Sequence, residues 1–257
     1  MTADLARLLS DAQLWLAQAF IVFLRVGGAM ALMPAFGEQI VPARVRLVAA
    51  FAFTLVTLSG TDPVTLGAAT RTAVSPTLLS EMGVGLAIGA MLRLFVLALQ
   101  TAGMMIAQSI SLAQMFGVAG ESQPAVSTLL TLGGLALAAH LGLHIKIAAL
   151  LIASYDAIPP RSLPSAEVLR LWGLGGVAQT FSLAFSIAMP FVLGGLLYNV
   201  ALGAINRAMP QMMVTFIGAP ALTFGGLVLL TVAVPTGLLV WSGALDRFLS
   251  APFEVHR

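Results

Sequence analysis

The chain has 257 residues, 59% of them hydrophobic and 9% charged, with a formal net charge of +2 and no cysteine. A soluble domain carries about 25% charged residues, so this composition excludes a water-covered globule. It requires a surface that meets lipid or other apolar protein. The basic side chains are scattered and leave no nucleic-acid footprint. The missing cysteines exclude disulfides, thiol chemistry and cysteine-held metals.

Long uncharged runs rich in Leu, Ala, Val and Gly, with no apolar–polar alternation, indicate membrane helices rather than a barrel. The expected fold is an all-α integral membrane protein. It should have about six long apolar segments, kinked at Gly and Pro and paired as helical hairpins, in one membrane domain over residues 1–257. Asp4 and Asp11 stand where a signal peptide needs positive charge. The N-terminal stretch therefore reads as the approach to a first membrane helix.

The first apolar segment runs over 14–33 and is interrupted by Arg25. Pro34, Gly37 and Pro42 mark a break, and Arg44 and Arg46 open a second segment, 47–59. That run is short for a span unless its helix begins near Pro42. A polar linker over 60–76 follows, with Ser80 and Glu81 as a capped helix start. The third segment, 78–112, carries Arg93 near its middle. It would exceed about 50 Å against about 30 Å of hydrocarbon, and so must project or break. Its small residues recur every fourth position (Gly85 and Gly89, Ala98 and Ala102, Gly103 and Ala107), which suits close backbone packing.

A glycine-containing loop with Glu121 follows over 114–124, then a fourth segment over 126–158. Pro164, Ser165 and Glu167 read as the start of the fifth segment, 168–206, in which Pro190 and Gly194–Gly195 predict a kink or a split. Asn206, Arg207, Pro210 and Gln211 form the one polar, helix-breaking cluster of the C-terminal half. They read as a tight turn between two long apolar helices, with partner contact or a pore rim as the functional alternative. A charge in hydrocarbon costs at least about 2.5–3.5 kcal/mol at mid-bilayer. Alternating the loops places both termini in the cytoplasm by the positive-inside tendency.

Chemistry-bearing clusters are sparse. His140 and His144 are spaced to share a helix face, but a metal site needs a third ligand, and Asp156 is three turns away. A buried polar contact between helices fits one of them better. The carboxylates lie mostly in apparent loops, and no mid-helix pair suits a proton relay. No phosphate loop or catalytic triad order is present. The residues offer no plausible catalytic cluster, cofactor loop or complete metal site. Met104, Met105 and Met115 cluster beside Phe116. They form either ordinary core or a soft apolar gate. Apolar runs this long and this broken suit helices sheltered by partner subunits as well as by lipid, hence an obligate subunit of a membrane assembly.

Four stretches together resemble the FliR family, the R subunit of the flagellar and type III secretion export gate. They are PAFGEQIVPARVRLVAAFAFTL, LQTAGMMIAQSISLAQMFG, HLGLHIKIAALLIASYDAIPP and YNVALGAINRAMPQMMVTFIGAP. Pro34, Gly37, Pro42, Arg44 and Arg46 match the first pattern, and His144 the third. Asn199, Asn206, Arg207, Pro210 and Gln211 match the fourth, the most specific of them. The resemblance covers nearly the whole chain.

It implies a non-enzymatic subunit that joins P and Q subunits (FliP-like and FliQ-like), beside a B-type switch protein (FlhB-like). Together they form a closed cone in the bacterial inner membrane, within the flagellar basal body, that passes unfolded export substrates. It also implies a plug over roughly 109–123. The plug or gate residues would be Met104, Met105, Ser109, Met115, Phe116, Gly117, Gly120 and Glu121. GVAGESQP stands there in place of the family's Asp-Pro loop. A virulence secretion subunit, a small-molecule secondary transporter and a lipid-acting membrane enzyme are the competing readings.

Overall fold

The computed structural model describes residues 2–34, 41–70, 74–110, 125–209 and 214–253. Among them are eight helices and no strand: α1 (Thr2–Leu32), α2 (Ala43–Gly60), α3 (Pro63–Thr70), α4 (Val74–Ser109), α5 (Ala125–His140), α6 (Leu143–Ala157), α7 (Ala166–Ala208) and α8 (Val214–Ser250). By length and composition five of them can cross a membrane, and α5 with α6, bent by 74° at their junction, would make a sixth. The protein is an all-α integral membrane protein, as the composition requires.

Several boundaries differ from expectation, each for a local reason. Helix α2 does begin right after Pro42, whose carbonyl accepts from the Val45 and Arg46 amides at 3.0 and 3.2 Å. That adds the turn the short second run lacked. The polar linker is partly helical: the Asp62 side chain accepts from the Val64 amide at 3.1 Å and opens α3. Helix α4 starts at Val74, so Ser80 and Glu81 lie inside it and do not cap it. It then continues unbroken to Ser109.

The fourth apolar run, by contrast, is two helices. Gly142 stands between them in the left-handed region (φ 76°, ψ 33°), which only glycine adopts without cost. His140 ends α5 and His144 begins α6, so the two histidines share no helix face, and both are exposed. This overturns the shared-face reading, and within this chain neither histidine is a buried contact. Helix α7 runs through Pro190, so the chain does not split there. Lipid penalises an open backbone end more than the one hydrogen bond that proline removes.

The chain forms two compact units. The first comprises Met1–Leu94, Gly142–Gly176 and Leu249–Arg257. Here α1 packs against α2, with Phe23 stacked on Phe51 at 4.9 Å, and against α4 through glycines. A Cβ on Gly85 would fall on the Arg25 carbonyl, and one on Gly89 on the Ala29 carbonyl. The small-residue stripe thus does what its spacing suggested and lets two backbones meet.

The second unit comprises Phe95–Leu141 and Val177–Phe248. Its core holds Leu99, Ala102, Ile106, Leu130 and Trp241. The Trp241 indole N–H donates to the Phe95 carbonyl at 2.8 Å. Gly103 lies against the Ser127 backbone, and the Ser127 hydroxyl donates to the Gln100 carbonyl at 3.1 Å.

Candidate functional site

The most polar place in the first unit is wholly enclosed. Arg25 of α1 and Glu81 of α4 are both 0% exposed and form an ion pair, Nε to Oε2 at 2.7 Å and Nη2 to Oε1 at 3.2 Å. Arg25 Nη1 also donates to the Ser154 carbonyl at 2.9 Å and the Ser154 hydroxyl at 3.0 Å. Nη2 donates to the Ile158 carbonyl at 3.0 Å. The guanidinium carbon stands 3.8 Å from the centre of the Tyr155 ring, over its face. Glu81 Oε1 further accepts from the Arg161 amide at 3.2 Å. Arg161 holds φ 70°, a left-handed conformation that costs a non-glycine residue about 1–2 kcal/mol.

The planar guanidinium suits this fork of acceptors, where a lysine would not. Arginine has five N–H donors, and the five hydrogen bonds above use all of them. An intramembrane charge is by default a functional-site candidate. Here, however, Arg25 keeps no donor for a ligand, and the buried Tyr155 hydroxyl is the group at the site without a hydrogen-bond partner. The arrangement is a pin that fixes α1, α4, the end of α6 and the turn after it in one geometry. Neither partner was legible as such: Arg25 read as an interruption and Glu81 as a cap. A charge at the centre of one apolar run and a carboxylate early in another was the available signal.

Beside the pin lies a cavity of about 400 Å³ between α4, α7 and the 157–164 connection. Its walls are apolar, among them Val84, Ile88, Leu163, Leu169 and Phe253. The polar side chains in the lining, Ser162 and Trp172, already donate to the Pro159 and Pro252 carbonyls. Nothing in it remains to orient a polar substrate.

The sequence-predicted residues do not converge on either place. Met104 is exposed on α4, Met105 is half-buried, and the Ser109 hydroxyl donates to the Met105 carbonyl at 2.8 Å. Met115, Phe116, Gly117, Gly120, Glu121, Gly37, Pro210 and Gln211 lie outside the described residues. Asn199, Asn206 and Arg207 are exposed on α7, whose end at Ala208 precedes the start of α8 at Val214. Pro34 follows α1, Arg44 is exposed and Arg46 half-buried in the first turn of α2. Among the described residues no group of three or more metal-ligating side chains could hold an ion.

These features define a helical membrane protein whose enclosed charges hold it together and whose cavity is greasy. The model of the family of bacterial export proteins, family 1, matches residues 16–248. The flagellar biosynthetic protein FliR of Caulobacter vibrioides is 34% identical over 240 residues, covering 90% of this chain and 92% of that one. FliR of Aquifex aeolicus is 29% identical over 229 residues, 88% of each chain. FliR of Escherichia coli is 28% identical over 230 residues, 86% of this chain and 85% of that one. The chain belongs to the bacterial export proteins, family 1, the FliR family.

Proposed function

We propose that this protein is a membrane subunit of a flagellar protein export apparatus, acting as a channel component rather than a catalyst. The observation that carries the reading is the 34% identity to a flagellar biosynthetic protein over nine-tenths of both chains. The physical picture supports it. Only 33% of the most apolar window of α7 and 17% of that of α8 is buried within the chain. Large apolar side chains such as Leu174, Phe181, Leu197, Phe224 and Val232 stand open on these helices. A subunit that shares its apolar surface between lipid and neighbouring proteins needs such faces.

In this reading the whole chain is one export-gate domain in the inner membrane. It assembles with P and Q subunits and a B-type switch protein, and unfolded protein passes, driven by energy supplied elsewhere in the machine. Met104, Met105, Ser109 and the segment that follows seal the idle pore, and Asn199, Asn206 and Arg207 meet partners near a hairpin turn. Deleting the gene should abolish swimming in soft agar and secretion of hook and filament protein, and a plasmid copy should restore both. Normal secretion in the deletion strain would end the proposal. Removing residues 117–121 should raise ion leak through an assembled gate; unchanged leak with assembly intact removes the sealing role. Arg207→Ala should lower co-purification of partner subunits if that end of α7 is a contact, and leave it unchanged if it is only a turn.

The Arg25–Glu81 pair is the one feature that would favour a secondary transporter. All the guanidinium donors are held within the chain and both charges are fully enclosed, which argues against binding and releasing a solute there.

A further inference from the structure

We infer that Arg93, exposed on α4, pairs with an Asp or Glu carboxylate on a membrane helix of a neighbouring subunit. The inference rests on the reading that the chain is part of a larger membrane assembly.

Arg93 stands at the midpoint of the candidate span Thr77–Ser109, 33 residues long. At ~1.5 Å per residue that helix is about 50 Å long, against about 30 Å of hydrocarbon. Any window of about 30 Å that lies wholly within this helix contains its midpoint. Arg25, in the last third of α1, is completely enclosed by its acceptors. Arg93 is exposed, and among the described residues it has no hydrogen bond or ion pair. Its own helix supplies no counter-charge: the single carboxylate in α4 is Glu81, which is committed to Arg25.

The surroundings favour a helix over water or lipid. Leu79, Met82, Leu86, Ala90 and Arg93 recur at three- and four-residue steps and lie on one face of α4. Their side chains are exposed or half-exposed, with Gly28 of α1 against the backbone at Met82 and Leu86 and no such contact at Ala90 or Arg93. A face that lined a water-filled path would carry several polar groups, whereas Arg93 has apolar Ala90 and Leu97 on either side and the next polar side chain on the same steps is Gln100, two turns on. A face that met only lipid would leave that cation unpaired in hydrocarbon, which membrane proteins avoid. An apolar stripe with a single positive charge and a small residue, Ala90, one turn away is complementary to an apolar helix carrying one acid.

The test uses the full-length, affinity-tagged chain expressed with its operon partners and extracted from native membranes. Arg93→Leu and Arg93→Glu should each lower the yield of the subunits that co-purify with the wild type at least tenfold, while Arg93→Lys keeps most of it. In the Arg93→Glu background, changing one intramembrane acid of a co-purifying subunit to Lys should restore the complex. Co-purification by Arg93→Glu at the wild-type level overturns the inference, as does failure of every such charge swap. Should both neutral and reversed variants fail to accumulate, a photo-crosslinker at Ala90 in the otherwise native chain decides. Adducts to a helix with an acid at that depth support the pair, and lipid adducts alone refute it. If the wild-type chain itself brings down no other subunit, the assembly reading fails, an outcome distinct from tolerance of Arg93→Glu.

Discussion

Replacing Arg25 with alanine should be among the most damaging single changes to the stability of the first unit. The substitution strips Glu81 of two charge-assisted bonds and leaves its carboxylate, 0% exposed, with the Arg161 amide as its remaining donor. It also orphans the Ile158 carbonyl. Breaking a buried pair by removing one partner costs about 3–5 kcal/mol, or between two and four powers of ten in the folding equilibrium at about 1.4 kcal/mol per decade. Glu81→Ala should cost a similar amount, because the guanidinium then keeps only the Ser154 and Ile158 acceptors. The double variant Arg25→Met, Glu81→Leu removes both charges at nearly constant volume. It leaves one carbonyl and one amide unpaired, at about 1–3 kcal/mol each. Its cost should therefore fall about 4 kcal/mol short of the sum of the single costs, taking the middle of each range. Thermal unfolding of the purified chain in detergent, followed by circular dichroism, reads this out. At about 2–4 °C per kcal/mol for a chain of this size, each single variant should lose roughly 6–20 °C. A loss under about 3 °C for Arg25→Ala, or strict additivity in the double variant, would refute the claim that these charges depend on one another.

Three further outcomes follow from the same geometry and the same assay. Gly85→Leu should cost at least about 1–3 kcal/mol, since its Cβ meets the Arg25 backbone, which cannot yield. Gly173→Ala, with nothing within 4 Å, should be neutral or stabilise by up to about 1 kcal/mol; equal effects would show that the α1–α4 contact is not close. Gly142→Ala should cost about 1–2 kcal/mol because alanine resists φ 76°, and an unchanged midpoint would mean the α5–α6 bend does not depend on that conformation. Arg161→Gly keeps the amide that Glu81 accepts and should stay within about 1 kcal/mol of wild type. Arg161→Pro removes that amide and cannot reach φ 70°, so it should cost about 3 kcal/mol or more; the reverse order would exclude the amide from the pin.

The sequence by itself determined the class of protein, the approximate number of spans, and most of the places where helices end. These are local properties. Hydrocarbon selects for unbroken apolar length, and Pro, Gly and polar clusters mark where the backbone leaves it. The breaks after Leu32, Ala157 and Ala208 therefore fall where the residues said they would. The run over 126–158 misled, because one glycine in an otherwise helix-forming stretch does not reveal that it will adopt positive φ; the 74° bend came from the fold. At Pro190 the split does not occur, because the surrounding lipid-adapted helix continues through it.

Only the tertiary structure decided which charges are enclosed and which are open. Arg25 meets partners 56 and 129 residues away, and no local pattern encodes such a distance. Arg93 looks the same in the sequence, a lone arginine within an apolar run, yet it faces outward. Glycines at 85 and 89 bring α1 against α4 where Arg25 and Glu81 meet, whereas Arg93 stands exposed further along the same helix. A charge in an oily segment must be neutralised somewhere, and it is the packing of helices that settles whether the neutralising group belongs to the same chain.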